Sequence, residues 1–189
     1  MVSRLQNEVE AWNKFKNGDD SMFADIYSLY SRQMYQYGLK FTRNTSLIED
    51  SIHDLFFDLY KNRRTIGHTD NILRYLLKSF RRKLFRHLNR EKRYSFQKES
   101  KDYSFEVNYS IEHELILIED KDQKTAVLRK ALQNISSRQR EAIYLRFTSG
   151  LAYENVADIM DMNLESCRNL IYRAVKSLKE AIQDHDRSE

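Results

Sequence analysis

A chain of 189 residues with no proline and only four glycines has little choice but to run as helices joined by short loops. Proline stops helices, glycine supplies left-handed turns, and together they make up roughly 12% of average protein sequence. No stretch alternates apolar and polar residues long enough to make a useful strand, and no internal repeat or low-complexity tract is present. This length permits one large domain or two small ones of roughly 60–90 residues each. The predicted fold is all-α, with two small helical domains joined by a linker. The single cysteine, Cys167, excludes an internal disulfide and suits a reducing cytosol. No apolar run approaches the roughly 20 residues of a membrane span, and Met1–Lys16 lacks a secretory apolar stretch. A cytoplasmic protein without stable membrane insertion is expected.

A net charge of +4 says less than its distribution. Residues 1–60 carry a small excess of acids, whereas Lys61–Lys98 holds thirteen Lys and Arg against only Asp70 and Glu91. Like charges packed so densely repel within a folded element. A polyanionic partner therefore explains the block better than an ordinary solvated face does. Residues 99–127 turn acidic again, and the remainder is nearly balanced.

Helical spacing of Leu5, Val9, Trp12 and Phe15 predicts a first helix over Val2–Lys16, stopped by Asn17-Gly18. Asp20 or Ser21 is placed to cap a second helix carrying Phe23, Ile26, Tyr27, Tyr30, Met34, Tyr37, Leu39 and Phe41, and Arg43-Asn44-Thr45 breaks the pattern. Ser46 and Glu49 have capping-box spacing, so a third helix is expected from there to Lys61, with Ile48, Ile52, Leu55, Phe56, Leu59 and Tyr60 inside. The polar loop Thr65–Asn71 precedes a fourth helix, Ile72–Lys92. Its inner face is Leu73, Leu76, Leu77, Phe80, Leu84 and Leu88, and its outer face is cationic.

Tyr94–Tyr109 has no helical period, many serines and mixed charge, which reads as linker. The organisation is thus a first domain over 1–94, an acidic linker over 95–121 and a second domain over 122–189. Within the linker, the apolar run Leu115–Ile118 either opens the second domain or packs against the first. The acidic segment Glu112–Asp122 has the charge to cover the basic face Arg74–Arg86 in the free protein. Four helices are predicted in the second domain, at Asp122–Asn134, Ser137–Thr148, Ala152–Met160 and Leu164–Ile182. Ser136 and Gln139 form a capping box, and Gly150 stands where a left-handed residue must end a helix.

Ala152–Met160, the turn Asp161-Met162-Asn163 and Leu164–Leu178 make a helix-turn-helix pattern. Along the last helix Leu164, Cys167, Ile171, Ala174, Val175 and Leu178 share one face. Glu165, Ser166, Arg168, Asn169, Tyr172, Arg173 and Lys176 share the other. A recognition helix needs this division, because one side packs on its partner helix while the other enters the major groove. Arg168 and Arg173 suit guanine or phosphate, and Asn169 suits adenine. An ordinary amphipathic hairpin shows the same period, so the pattern alone does not decide between them.

The run ISSRQREAIYLR at Ile135–Arg146, followed by GLAYENVA at Gly150–Ala157, resembles the fourth conserved region of bacterial sigma factors. That region reads LPxRQREVFxLRxxEGLSYxEIA before its recognition helix. Ser136 replaces the usual proline, and Asp161 replaces the usual turn glycine. Aspartate tolerates the left-handed conformation better than most residues, so the turn survives. The outward positions are not the commonest choices of the family, so no promoter sequence carries over.

IEDSIHDLFFDLY at Ile48–Tyr60 is similar to the second region of the same family, often AEDIVQDVFLKLW. The resemblance implies a helix that docks on a coiled coil of the largest catalytic subunit of core RNA polymerase, with Asp50, His53, Asp54 and Phe57 at the interface. Phe56 is expected in the core instead. The basic helix then aligns with the element that opens the downstream promoter box. A loop there captures a flipped base, and the helix holds the backbone of the melted strand. The resemblance puts His68 and Asn71 in that loop as readers, with Arg74, Tyr75, Lys78, Arg81, Arg82 and Arg86 along the phosphates. Arg82 stands at a usual asparagine, and Phe85-Arg86 replaces a usual aspartate, so single base contacts do not carry over. The order of these regions is similar to the extracytoplasmic-function class. That class implies core polymerase, promoter DNA and an anti-sigma factor as partners, with recruitment and strand opening driven by binding energy and no cofactor.

Nothing in the sequence assembles an enzyme. His53, His68, His87, His113 and His185 form no metal-spaced pair. Four scattered glycines make no phosphate loop, and Cys167 sits on the inner helix face. Two other readings remain open at this point. One is a stand-alone helix-turn-helix regulator binding duplex DNA as a dimer, which has no need of the acidic-aromatic helix Ile48–Tyr60. The other is a helical adaptor for RNA or an acidic protein, which the Arg-Gln-Arg-Glu and Gly-Leu-Ala-Tyr runs speak against.

Overall fold

Most helices start where a side chain satisfies the backbone N–H groups that a first turn leaves unpaired, the helix that follows Ala152 being an exception. The structure, a computed structural model, describes residues 7–94, 103–106 and 122–186. Helix α1 is Glu8–Lys16, capped by the Asn7 side chain, which accepts from Glu10 N. Helix α2 is Asp20–Gly38, α3 is Thr45–Lys61 and α4 is Ile72–Tyr94. The chain then forms α5 Asp122–Asn134, α6 Ser137–Ile143, a π-helical turn Tyr144–Thr148, α7 Tyr153–Ile159 and α8 Leu164–Asp186. Among the described residues all regular secondary structure is helical. The chain divides into two compact units, Met1–Lys101 and Asp102–Glu189.

Two starts differ from the expected ones. Asp19, not Asp20 or Ser21, caps α2 by accepting from Met22 N, and the Ser21 hydroxyl donates to Asp19. Asn44, not Ser46, caps α3 by accepting from Leu47 N. Asparagine and aspartate are as strong as serine at this position, and each lies upstream of the expected cap. With Asn44 in place, Ser46 lies inside the first turn, so no capping box with Glu49 forms.

In the first unit Trp12, Phe15, Ile26, Tyr30, Met34, Tyr37, Ile48, Leu76 and Phe80 are buried almost completely. Val9 stays 48% exposed, so the inner stripe of α1 is narrower than its spacing suggested. Tyr27 and Tyr60 also keep exposed rings. Residues 1–6, with Leu5, lie outside the described residues, as do 95–102 and 107–121, which include Leu115–Ile118.

Helix α2 ends against α3 and α4 at Gly38. A Cβ there would stand 2.8 Å from Ile48 Cγ2 and 3.1 Å from Phe80 Cζ. Alanine would gain at most about 1 kcal/mol of helix propensity, whereas overpacking a full core costs about 1–3 kcal/mol. Gly38→Ala is therefore expected to lower the melting temperature of the first unit. An unchanged or raised value would show that Ile48 yields without cost.

In the second unit Leu132, Ile135 and Ala174 are buried, with Leu128, Ile143 and Leu178 packed against them. Ser136 caps α6 with the full capping box, its Oγ accepting from Gln139 N and Gln139 Oε1 accepting from Ser136 N. The predicted single helix Ser137–Thr148 widens at Tyr144, where Ser149 N reaches back to Tyr144 O and Leu151 N to Leu145 O. Gly150 closes this end at φ +67°, in the left-handed region expected of it.

Candidate nucleic-acid interface

Helix α7 ends in a left-handed cap at Asp161, whose φ is +50°. Met162 N bonds Ala157 O and Asp161 N bonds Asp158 O, the paired bonds of a Schellman motif. Asn163 then caps α8, its side chain accepting from Ser166 N at 2.7 Å. Cys167, Ile171 and Ala174 are buried beneath α8, while Leu164, Val175 and Leu178 are half-buried. Burial also pushes the Cys167 thiol up, which leaves little thiolate for chemistry.

Glu165, Ser166, Arg168, Asn169, Tyr172, Arg173 and Lys176 are all exposed on the opposite face of α8. Tyr172 presents 67% of its surface. Arg168 touches Glu154 of α7 at 3.3 Å, with both side chains 59% exposed. Exposed pairs of this kind contribute well under about 1 kcal/mol, so a phosphate or a base edge can take the guanidinium over. The face combines hydrogen-bonding groups and cations with room to approach a groove.

The motif residues before α7 are held inside the unit. Arg140 Nε donates to Phe105 O at 2.7 Å, and its Nη1 donates to the carbonyls of Leu132 and Ile135 at the end of α5. A cation at a helix C-terminus is favoured by the helix dipole. Glu141 is fully buried and accepts from the Tyr103 hydroxyl. Tyr103–Glu106 was expected to be linker, yet Phe105 is 0% exposed and packs edge-on against Tyr144 at 5.8 Å. Burial pushes the Tyr144 phenol up to about 12. The linker reading fails here because a 35-residue contact leaves no local period.

In the first unit Asp50, His53, Asp54 and Phe57 lie together on the outer face of α3, all exposed, and Phe56 is core. Phe57 is 67% exposed and borders an open apolar groove of about 380 Å³, with Phe23, Tyr27, His53, Phe56 and Tyr60. Helix α4 braces this face from behind. Lys83 holds Asp58 at 2.6 Å, and His87 Nε2 lies 3.4 Å from Asp54. Ser51 Oγ donates to Leu47 O, so it accepts from His87 Nδ1 at 3.0 Å. Neither Lys83 nor His87 was singled out by the sequence, since a brace between two helices shows no spacing signal.

The loop 62–71 is tied to α1. Trp12 Nε1 donates to Gly67 O at 2.9 Å, and the Glu8 carboxylate accepts from Ile72 N at 2.7 Å. His68 is exposed in this loop. Asn71 uses its side-chain oxygen to cap α4 at Arg74 N, 2.8 Å away. Arg74 touches Thr69 and Asp70. The Tyr75 ring packs on Trp12 at 4.8 Å, and burial pushes its phenol up. Arg81 lies over the Phe85 ring at 4.6 Å. Arg82 and Arg86 are exposed, and Lys78 is half-buried. The predicted residues thus share one loop and helix, but Asn71, Arg74 and Tyr75 also hold that loop together.

Residues 125–178 match the family model for sigma-70, region 4. The C-terminal unit is a sigma-70 region 4 domain. Within the matched residues the outer face of α8 is exposed, while Arg140 and Glu141 are tied into the unit. The chain is also similar in structure to the sigma factor RpoE of Bartonella quintana, solved in complex with the anti-sigma factor NepR. That match has 19% identity and a TM-score of 0.57, covering 85% of this chain and 96% of that one. It is similar as well to CnrH, solved in complex with the cytosolic domain of CnrY, at 14% identity and a TM-score of 0.60, covering 95% and 98%. No characterised protein matches significantly by sequence. The matched residues thus sit in a chain whose fold is similar to those of these two sigma factors. Among the described residues no helix is long and apolar enough to cross a membrane, and no cluster of His, Cys, Asp and Glu is arranged to hold a metal.

Proposed function

We propose that this protein is an extracytoplasmic-function sigma factor, which binds core RNA polymerase and directs it to promoters for transcription initiation. The observation that carries this reading is the region 4 domain over 125–178, whose helix α8 keeps its seven polar and charged outer residues exposed. Residues 1–94 act as the polymerase-binding and strand-opening domain, and residues 122–189 read the upstream duplex element. The outer face of α3 docks on the polymerase through Asp50, His53, Asp54 and Phe57, where acidic groups steer the encounter with a basic partner. His68 and Asn71 face the melted strand, with Arg74, Tyr75, Lys78, Arg81, Arg82 and Arg86 along its backbone. Binding energy drives the opening, with no cofactor and no catalytic step. An anti-sigma factor is a further partner, supported by the two similar sigma factors having been solved with theirs. The protein works in the cytoplasm, where its polymerase is.

The test is retention of purified core RNA polymerase by the tagged protein, comparing wild type with Asp54→Arg. Wild type is expected to retain core and the variant to lose it, because the substitution reverses a charge at the docking face. If neither retains core while both still bind duplex DNA, the chain is instead a stand-alone regulator. Arg168→Ala is expected to weaken binding to the upstream element by about 1–3 kcal/mol. Equal titrations of the cognate duplex by both proteins would remove Arg168 from recognition.

A further inference from the structure

The proposed contacts with polymerase and DNA leave α1 without a role, yet α1 grips the loop before α4 at two points. Glu8 and Trp12 stand one helical turn apart, on the same face of α1. Trp12 Nε1 donates to Gly67 O at 2.9 Å, and the Glu8 carboxylate accepts from Ile72 N at 2.7 Å, across 64 residues of sequence. Asn71 caps α4 in the ordinary way, by accepting from the third N–H of the helix at Arg74. The first N–H, that of Ile72, lies outside the usual reach of a cap side chain. Glu8 satisfies it from another helix, and a carboxylate suits the positive end of α4.

Between these two points the loop closes on itself. Thr69 is buried, its hydroxyl donating to Asn71 O and accepting from Asn71 N. Arg74 reaches back to Thr69 and Asp70. His68 and Asp70 stay exposed. Taking a base out of its stack costs free energy, and a loop that ordered itself at the same moment would add its own entropy to that cost. A loop held in advance avoids the second part.

We propose that Glu8 is a positioning residue for base capture. By closing the first turn of α4 onto α1, it holds residues 67–71 in the form that receives a flipped base. The role rests on the sigma-factor reading of this loop, and Glu8 acts without touching DNA.

Two substitutions separate the carboxylate's hydrogen bond from its mere presence. Glu8→Ala removes the acceptor, whereas Glu8→Gln keeps an oxygen at the same reach and removes only the charge. Amide hydrogen exchange in the full-length protein tests the tie itself. In Glu8→Ala the Ile72 amide is expected to exchange about tenfold faster, and in Glu8→Gln most of the protection should remain. An Ile72 amide unmoved by Glu8→Ala, or exchange raised equally throughout the first unit, would overturn the tie.

Base capture is tested with holoenzyme reconstituted on purified core RNA polymerase. The probe is a library of DNA with a randomised unpaired stretch and a randomised duplex upstream of it, from which bound molecules are selected and sequenced. Wild type is expected to favour one base at a position of the unpaired stretch. Glu8→Ala should weaken that preference about tenfold, Glu8→Gln should keep it, and preferences in the duplex should be unmoved in both. A preference in the unpaired stretch that survives Glu8→Ala, or that is lost together with those in the duplex, would overturn the positioning role. A wild type with no favoured base in the unpaired stretch would bring down the reading of this loop, and the positioning role with it. In that outcome exchange at Ile72 still decides the tie.

Discussion

Trp12→Ala is expected to destabilise the N-terminal unit by about 3–5 kcal/mol, the range for truncating a buried aromatic residue. Trp12 is fully buried, packs on Phe15 and Tyr75, and donates its indole N–H to Gly67 O across 55 residues of sequence. The variant loses the ring and also leaves a loop carbonyl without its donor. Trp12→Phe should cost less, since it keeps most of the packing and loses the hydrogen bond, worth about 1 kcal/mol. This is the only tryptophan of the chain, so urea unfolding must be followed by circular dichroism, with the two units resolved as separate transitions. A loss below about 1 kcal/mol for Trp12→Ala would mean that α1 is not part of the core. Because Gly67 adjoins His68, the variant should also weaken binding of single-stranded promoter DNA.

Phe105→Ala is expected to lower the second transition, that of the C-terminal unit, by about 3 kcal/mol while leaving the first unchanged. A residue in an unstructured linker would show a change within about 0.5 kcal/mol, so the two possibilities separate cleanly. Ser104→Ala serves as the control, because Ser104 is exposed between the two contacts. An effect of Phe105→Ala no larger than that of Ser104→Ala would remove the segment from the folded unit. The opposite pattern, with Trp12→Ala moving only the first transition, would confirm that the units unfold apart.

Most of the helical architecture was legible because its signals are local. The 3.6-residue period of α8 assigned Cys167, Ile171 and Ala174 inward and Arg168, Asn169, Tyr172, Arg173 and Lys176 outward, and the structure divides them in the same way. The Ser136–Gln139 capping box and the left-handed positions Gly150 and Asp161 were equally readable, since each rests on a few adjacent residues. What failed were choices between close local competitors. Asn44 outcompetes Ser46, and Asp19 outcompetes Asp20 and Ser21, because the first adequate acceptor upstream takes the N–H groups. Long-range pairings were invisible. Neither the burial of Phe105 against α6 nor the brace of Lys83 on Asp58 has a spacing that marks it. The same holds for Asn71 and Tyr75, read as DNA contacts, whose local contacts also cap α4 and pack on Trp12.

The turn between α7 and α8 has no spare residue. Asp161 takes the left-handed position, Met162 supplies the N–H that closes onto Ala157, and Asn163 caps the helix that follows. Surface connections ordinarily gain and lose residues freely as sequences diverge. This one is barred from doing so. Adding a residue would separate the cap from the closing bond, and α8 would rotate by about 100° about its own axis, carrying Arg168 and Asn169 to another side of the unit. The turn is therefore expected to hold its length over divergence that remodels every other loop of the protein.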